Sequence, residues 1–318
     1  MVSKFRICAS CLHRPGAQRN ASWNFDVVIR RLFGALSSNS RDGEHTGPAK
    51  DGAKFGGDGV PFRPKRALVV SKLSRYAFER KRFSDLGEDG LKKVLLQRGS
   101  RYEKLLEKHW VHESNVKKVV DTLQSQNIEV RLAQRFDHSL NHEAVQWADV
   151  VVPAGGDGTF IMAAGKVMDD KPVLGVNTDP SRSAGYLCLP QEYTLHFDEA
   201  LQKIMEGRFR WKWRQRIRTT VESGLINAEP IDLHEQQLKL PDHQDQHWTK
   251  ERRMQEGLEE RVEPGPRVLP VRALNEVFIG ESLSSTVSYY EISVDGNPME
   301  KQKSSGITIC TGTGSTSW

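Results

Sequence analysis

No stretch of the 318 residues approaches the roughly 20 consecutive apolar positions of a membrane-spanning helix. Cysteine is scarce as well, with four in the chain. Cys8 and Cys11 form a lone C-x-x-C with no second pair and no His-x-His partner, too little to specify zinc, and read as incidental. Cys188 and Cys310 stand alone, which excludes a secreted disulfide framework and points to a reducing compartment. Hydrophobic residues make up 37% and mean hydropathy is −0.57, so a soluble chain with abundant polar loop is expected. Neither charge dominates. A net +5 is mild and suits small anions as well as nucleic acid.

Acid is nearly missing from residues 1–41, where Asp26 faces seven Lys and Arg residues among many serines. Within it, "WNFDVVIRRLFGAL" can place Phe25, Ile29, Leu32, Phe33 and Leu36 on one helical face. This is the description of a mitochondrial presequence, with a disordered basic tail as the other reading; both exclude the segment from the fold. Residues 37–64 are mostly Gly, Ser, Pro, Asp and Lys with few apolar side chains, and read as a disordered linker.

What remains is long enough for about two domains. The first spans 65–195: "ALVV", "IEVRL", "DVVVPA" and "PVLGV" read as strands, and "HESNVKKVVDTLQSQN" and "TFIMAAGKVM" as helices. Strands alternating with helices imply an α/β fold with an open, mostly parallel, Rossmann-like sheet covered on both faces. The second spans 196–318. The amphipathic helix "EYTLHFDEALQKIMEG" (192–207) spans the junction, and after it the chain is β-rich and sandwich-like. In "RFRWKWRQRIRTTVES", Phe209, Trp211, Trp213 and Ile217 alternate with Arg208, Arg210, Lys212, Arg214, Arg216 and Arg218, which predicts a strand with one buried and one solvated basic face. One strand is not a groove, so nucleic acid is not the expected partner. The charged stretch at about 241–266 reads as a mobile insertion.

Gly-Gly-Asp-Gly occurs twice. The copy at 56–59 lies in the linker, followed by Pro61, where neither strand nor helix can present it to a ligand. The copy at 155–158 follows a strand and opens a helix. Its glycines allow backbone N–H groups to approach a phosphate, with the positive end of the helix dipole behind them. Asp157 would stand beside those phosphates as a metal ligand or proton acceptor; helix N-capping is its alternative role.

"GGDGT" at 155–159 resembles the signature of the NAD kinase superfamily, which includes diacylglycerol and sphingosine kinases. "ALNEVFIG" at 273–280 and "GITICTGTGSTSW" at 306–318 resemble the Asn-Glu and nucleotide-binding motifs of the NAD kinase branch. "GVNTDPSRSAGYLCLP" and "WRQRIR" resemble its mitochondrial members. The resemblance covers about residues 65–318. It implies transfer of the γ-phosphoryl group of ATP, with Mg²⁺, to the adenosine ribose 2′-hydroxyl of NAD. By similarity Asp157 is the general base, while Gly155, Gly156, Gly158 and Thr159 bind phosphates. Asn275 and Glu276 hold NAD, and Thr313, Ser315 and Thr316 line the nucleotide site. No protein metal ligand is assigned, a homodimer in the mitochondrial matrix is expected, and no membrane partner is. A GGDGT lipid kinase and an inactive NAD-binding module are the alternatives. Ser305 stands where many members carry an acid, Ser317 and Trp318 replace a small residue and a tyrosine, and the 178–184 loop is longer than usual. The family continues past the position of Trp318, so the β-rich domain reads as truncated, with an open strand edge and exposed apolar surface.

Overall fold

The computed structural model describes residues 4–10, 25–31, 59–134, 139–181, 183–221, 267–281 and 286–315. The 241–266 stretch and Asp58 lie outside the described residues, as does Thr316.

Strand β3 (Arg66–Ser71) is the centre of the first domain, buried along "ALVVS". It pairs in parallel with β4 (Glu129–Gln134) on one side and β5 (Val150–Ala154) on the other. Residues 173–176 extend the sheet past β5 through parallel bridges from Val151 to Val173 and from Ala154 to Val176. The two-residue period of a strand sends its side chains to opposite faces. Ala67 and Val69 pack with Val116, Val119 and Leu123 of α3 (Tyr102–Ser125) and with Phe197, Ala200 and Leu201 of α7 (Phe197–Met205). Leu68 and Val70 pack with Ala144 and Val145 of α4 (His142–Trp147) and Ala163 of α5 (Asp157–Lys166). Each of the Val, Leu and Phe side chains, fully buried, contributes about 1.5–3 kcal/mol.

The charged stretch after β3 folds into α1 (Arg75–Arg82) and α2 (Glu88–Gln97). Ser74 caps α1 by accepting from the Ala77 N–H at 3.2 Å. Leu91 and Leu95 of α2 meet Tyr102 at the start of α3 in a small satellite core. Helix α7, within the 196–318 span, lays its apolar face on the α3 side of the first-domain core.

The second domain holds β6 (Arg216–Val221), β7 (Arg267–Ala273), β8 (Glu276–Gly280), β9 (Ser288–Val294), β10 (Glu300–Ser304) and β11 (Gly306–Cys310). Its antiparallel main sheet has the order β10-β9-β2-β1-β6-β7, where β1 is Lys4–Ser10 and β2 is Phe25–Arg31. Pairing of β8 with β11 forms a second, two-stranded sheet. Ile217 and Ile292 from the main sheet meet Val277, Ile279, Ile307 and Ile309 from the smaller one, a sandwich core.

β1 and β2 correct two expectations. Parts of residues 1–41 join the fold, and Phe25–Arg31 forms a strand where a helical face was anticipated. The β-branched run Val27-Val28-Ile29 favours a pleated backbone, and "KFRICAS" alternates with the same period of two. The β6 expectation also needs adjusting. Only Arg216–Val221 is strand; Trp213 is exposed, whereas Arg214 and Arg216 are half-buried. Within β6 the expected face holds, with Ile217, Thr219 and Val221 buried and Arg218 exposed, and Arg216 on the opposite face has a partner on the other domain. Its guanidinium donates to the carbonyls of Ala164, at 2.8 Å, and Val167, and to Asp169 O at 3.3 Å. Ala164 O also accepts from Val167 N–H, and Val167 is the C-cap of α5, whose helix end suits a positive charge.

Candidate active site

The Gly-rich turn begins where β5 ends. Gly155 N–H donates to Val176 O at 2.9 Å, holding the turn against the edge of the sheet. No side chain fits at 155, because a Cβ there would lie 2.8 Å from Thr159 Cβ, 3.2 Å from Lys72 Cβ, and against Thr159 Oγ1. At Gly156 and Gly158 a Cβ would meet nothing within 4 Å. One glycine is thus buried inside the turn and two face open space. Gly156 is the N-cap of α5 and Asp157 the first helical residue, so Asp157 does not itself cap the helix. Thr159 and Phe160 N–H groups both donate to Gly156 O, at 3.0 and 3.1 Å, leaving the N–H groups of Asp157 and Gly158 outside the helix ladder. The Thr159 side chain is buried beneath the turn against Gly155, not on its open side.

Asp157 is held by main chain. Its Oδ2 accepts from Tyr186 N–H at 3.1 Å and its Oδ1 from Leu187 N–H at 2.9 Å. Those amides are presented by a loop that Gly185 turns at φ +63°, tight against the Asn177 side chain. Asn177 donates to Ser183 O at 2.8 Å and accepts from Asp179 N–H at 3.0 Å. The loop is thereby fixed from within. Cys188 follows, and burial, then the Asp157 charge, pushes its thiol up to about 12, far from thiolate chemistry.

Beneath the loop lies a buried polar cluster. His112 of α3, fully buried, places Nδ1 2.9 Å from Thr178 Oγ1 and Nε2 3.0 Å from both Lys72 O and Ser71 Oγ. A carbonyl can only accept, so Nε2 carries the hydrogen and Nδ1 accepts from Thr178. Asn115, one turn along α3, donates to Thr178 O at 3.0 Å. Burial, then the charge of Lys72, pulls the His112 pKa down to about 4, and the ring is neutral at physiological pH.

The two downstream motifs meet each other. Leu274, between β7 and β8, is buried against Phe160 and Ala164 of α5. Asn275 O accepts from Thr311 N–H at 2.8 Å, while Thr311 Oγ1 donates to Leu274 O at 2.6 Å. Gly314 lies so close to the Asn275 backbone that a Cβ would collide with the Asn275 carbonyl. Glu276 opens β8 opposite Cys310, and its Oε2 is buried with no hydrogen-bond partner. Thr313 Oγ1 accepts from Arg214 at 3.2 Å, and Ser315 is exposed, donating to Gly312 O at 3.0 Å. The motifs at 275–276 and 311–315 therefore form one unit, and Leu274 seats it on the helix that Asp157 begins.

Sequence reasoning passed over Lys72, His112, Tyr186, Arg216 and Thr311. His112 had a signal: with Val116, Val119 and Leu123 it occupies i, i+4, i+7 and i+11, a polar ring on the apolar stripe. Tyr186, 86% exposed although its N–H holds Asp157, had none.

Residues 77–209 match the family profile of the ATP-NAD kinase N-terminal domain. The chain is 56% identical over 261 residues to human "NAD kinase 2, mitochondrial", covering 81% of this chain and 58% of that protein. Against the mouse protein of the same name identity is 48% over 312 residues, covering 86% and 68%. A more distant relative, NADH kinase of Arabidopsis thaliana, is 33% identical over 113 residues, covering 31% of this chain and 34% of the relative. The chain thus spans roughly three fifths of the human protein's length, 58%. A buried turn glycine, an aspartate clamped by two amides and two interlocked downstream motifs stand on a sequence about half identical to the human and mouse proteins: the chain belongs to the ATP-NAD kinase family.

Proposed function

We propose that this protein is an NAD kinase, transferring the γ-phosphoryl group of ATP to the adenosine ribose 2′-hydroxyl of NAD to give NADP and ADP. The observation that carries the reading is the placement of Asp157: a carboxylate fixed by two main-chain amides, at the N-terminus of a helix behind a Gly-rich turn. In this reading the Asp157 and Gly158 N–H groups and the open faces of Gly156 and Gly158 receive phosphate, aided by the helix dipole. Gly155 supports the turn from inside, and Thr159 packs below it. Asp157 takes the hydroxyl proton as the ribose oxygen attacks. Asn275 and the buried carboxylate of Glu276 bind amino and hydroxyl groups of the nucleotide, and Thr313, Ser315 and Thr316 belong to the same site. Binding a ligand hydroxyl or amine would satisfy Glu276 Oε2.

Mg²⁺ is read as arriving with the phosphates of ATP, whose charge it neutralises when bound. Among the described residues no cluster of three or more His, Cys, Asp or Glu could hold a metal. Magnesium that keeps its waters and takes phosphate oxygens needs no such cage, so the residues present fit this mode of delivery. The relatives named as mitochondrial support a mitochondrial location, and the matrix and a homodimer are proposed with it.

The test is to incubate the protein with NAD, ATP and Mg²⁺ and measure NADP. Asp157→Asn, which keeps the shape and removes the base, is expected to lower kcat by about 10²-fold or more. Absence of NADP from folded wild type, or full activity of the Asn variant, refutes the assignment.

A further inference from the structure

Lys72 is the first residue past β3, and its N–H donates to Ala154 O at 3.1 Å, one residue before the Gly-rich turn. A Cβ on Gly155 would come within 3.2 Å of Lys72 Cβ, so the lysine side chain leaves the backbone at the border of that turn. Its carbonyl is pinned by His112 Nε2 at 3.0 Å, which fixes where the side chain starts. Lys72 is half-buried, and its ammonium makes no hydrogen bond or ion pair among the described residues. Burial lowers its pKa, the Asp179 carboxylate works in the opposite direction, and Lys108 adds repulsion. A lysine head is normally left in water or paired, so partial desolvation without a contacting partner is costly. An arriving anion would offset that cost.

We propose that Lys72 is a phosphate-binding residue of this site, its ammonium lying against phosphate seated over the Gly155–Gly158 turn and stabilising the phosphoryl group in transfer. The proposal rests on the NAD kinase reading. As the ribose oxygen bonds to the γ-phosphorus, the bond from that phosphorus to the bridging oxygen of ADP breaks. The hydroxyl proton passes to Asp157, and Lys72 stays protonated throughout. A compact cation on a flexible stem can follow the group as it moves.

The experiment uses the 318-residue chain, with NADP formation measured while ATP and NAD are varied separately, and Mg²⁺–ATP binding measured by calorimetry without NAD. For Lys72→Met the expectation is a KM for ATP raised about 10-fold, kcat lowered about 10²-fold, weaker Mg²⁺–ATP binding and an unchanged KM for NAD. Lys72→Arg should recover part of the loss, which a purely structural role would not predict. A rise confined to the KM for NAD, with kcat and Mg²⁺–ATP affinity unchanged, would overturn it. Unchanged kcat, KM values and ATP affinity in folded Lys72→Met overturn it; Lys72→Gln serves if the Met variant does not fold. Should wild type bind Mg²⁺–ATP without making NADP, the kinase reading fails separately, and Lys72 is judged by affinity: equal binding by wild type and variant overturns its role. No binding by wild type overturns both.

Discussion

Leu187 N–H donates to Asp157 Oδ1 at 2.9 Å, tying the first residue of α5 to a loop thirty positions downstream. With Tyr186 N–H on the other oxygen, the carboxylate has both its tilt and its position set by main chain, which no substitution in the loop other than proline removes directly. What the loop needs is its turn. Gly185→Ala would put a side chain at φ +63° and 2.8 Å from Asn177 Nδ2. The expected result is a kcat lowered about 10²-fold through misplacement of Asp157, measured as NADP formation, with a stability loss of about 1–3 kcal/mol.

Gly155 and Gly158 should respond in opposite ways. Alanine at 155 is forced into Thr159 and Lys72 and should cost about 1–3 kcal/mol of stability. Alanine at 158 meets nothing in the protein and replaces a helical glycine, so stability should hold or rise by up to about 1 kcal/mol. Activity should nonetheless fall, because the added methyl occupies the open side of the turn. Denaturant melts and NADP assays on the two variants check this together.

His112 makes the fold sensitive to acid. Its pKa falls from an ordinary 6.5 to about 4 on folding, so the unfolded chain takes up the proton more readily. Stability from the neutral, doubly bonded ring is fully present above pH 6.5 and is lost as pH falls from there through 4. The full span corresponds to about 3 kcal/mol. Unfolding free energy measured at several pH values should slope downward across this window, and His112→Gln should be less stable at neutral pH with a flatter slope.

Arg216→Leu should destabilise the protein by about 1–3 kcal/mol, because it strips donors from buried-side carbonyls at the end of α5. Arg216→Lys should recover only part, since one ammonium cannot reproduce a planar fork that reaches three carbonyls. Thermal midpoints of the three proteins decide it.

Much of the first domain was readable in advance because its strands are continuous apolar runs and its helices repeat at 3.6, patterns that burial on two faces demands. The charged 75–97 stretch hid α1 and α2: their apolar residues serve only a small satellite core, so the periodic signal is weak. β1 and β2 were missed for a different reason. Basic, serine-rich composition says how a segment can be addressed in the cell, and that reading outweighed the local alternation that lets the same residues pair with β6 and β9. At the site, Asp157 and the two downstream motifs were legible as words. Thr159 lying under the turn, Lys72 beside it and Arg216 behind it were not, because each depends on which sheet edge meets which helix end.

Helix α5 is gripped at both ends by different partners: the 186–187 loop at Asp157, and Arg216 of the β-rich domain at Ala164 and Val167. Between them, Leu274 bears on its flank. A rod ten residues long and held this way transmits displacement with little bending. Any swing of the β-rich domain would therefore be felt as a tilt of the carboxylate about 15 Å away at the far tip, at 1.5 Å of rise per residue. On the proposed reading, movement of the β-rich domain and alignment of Asp157 are then a single mechanical event.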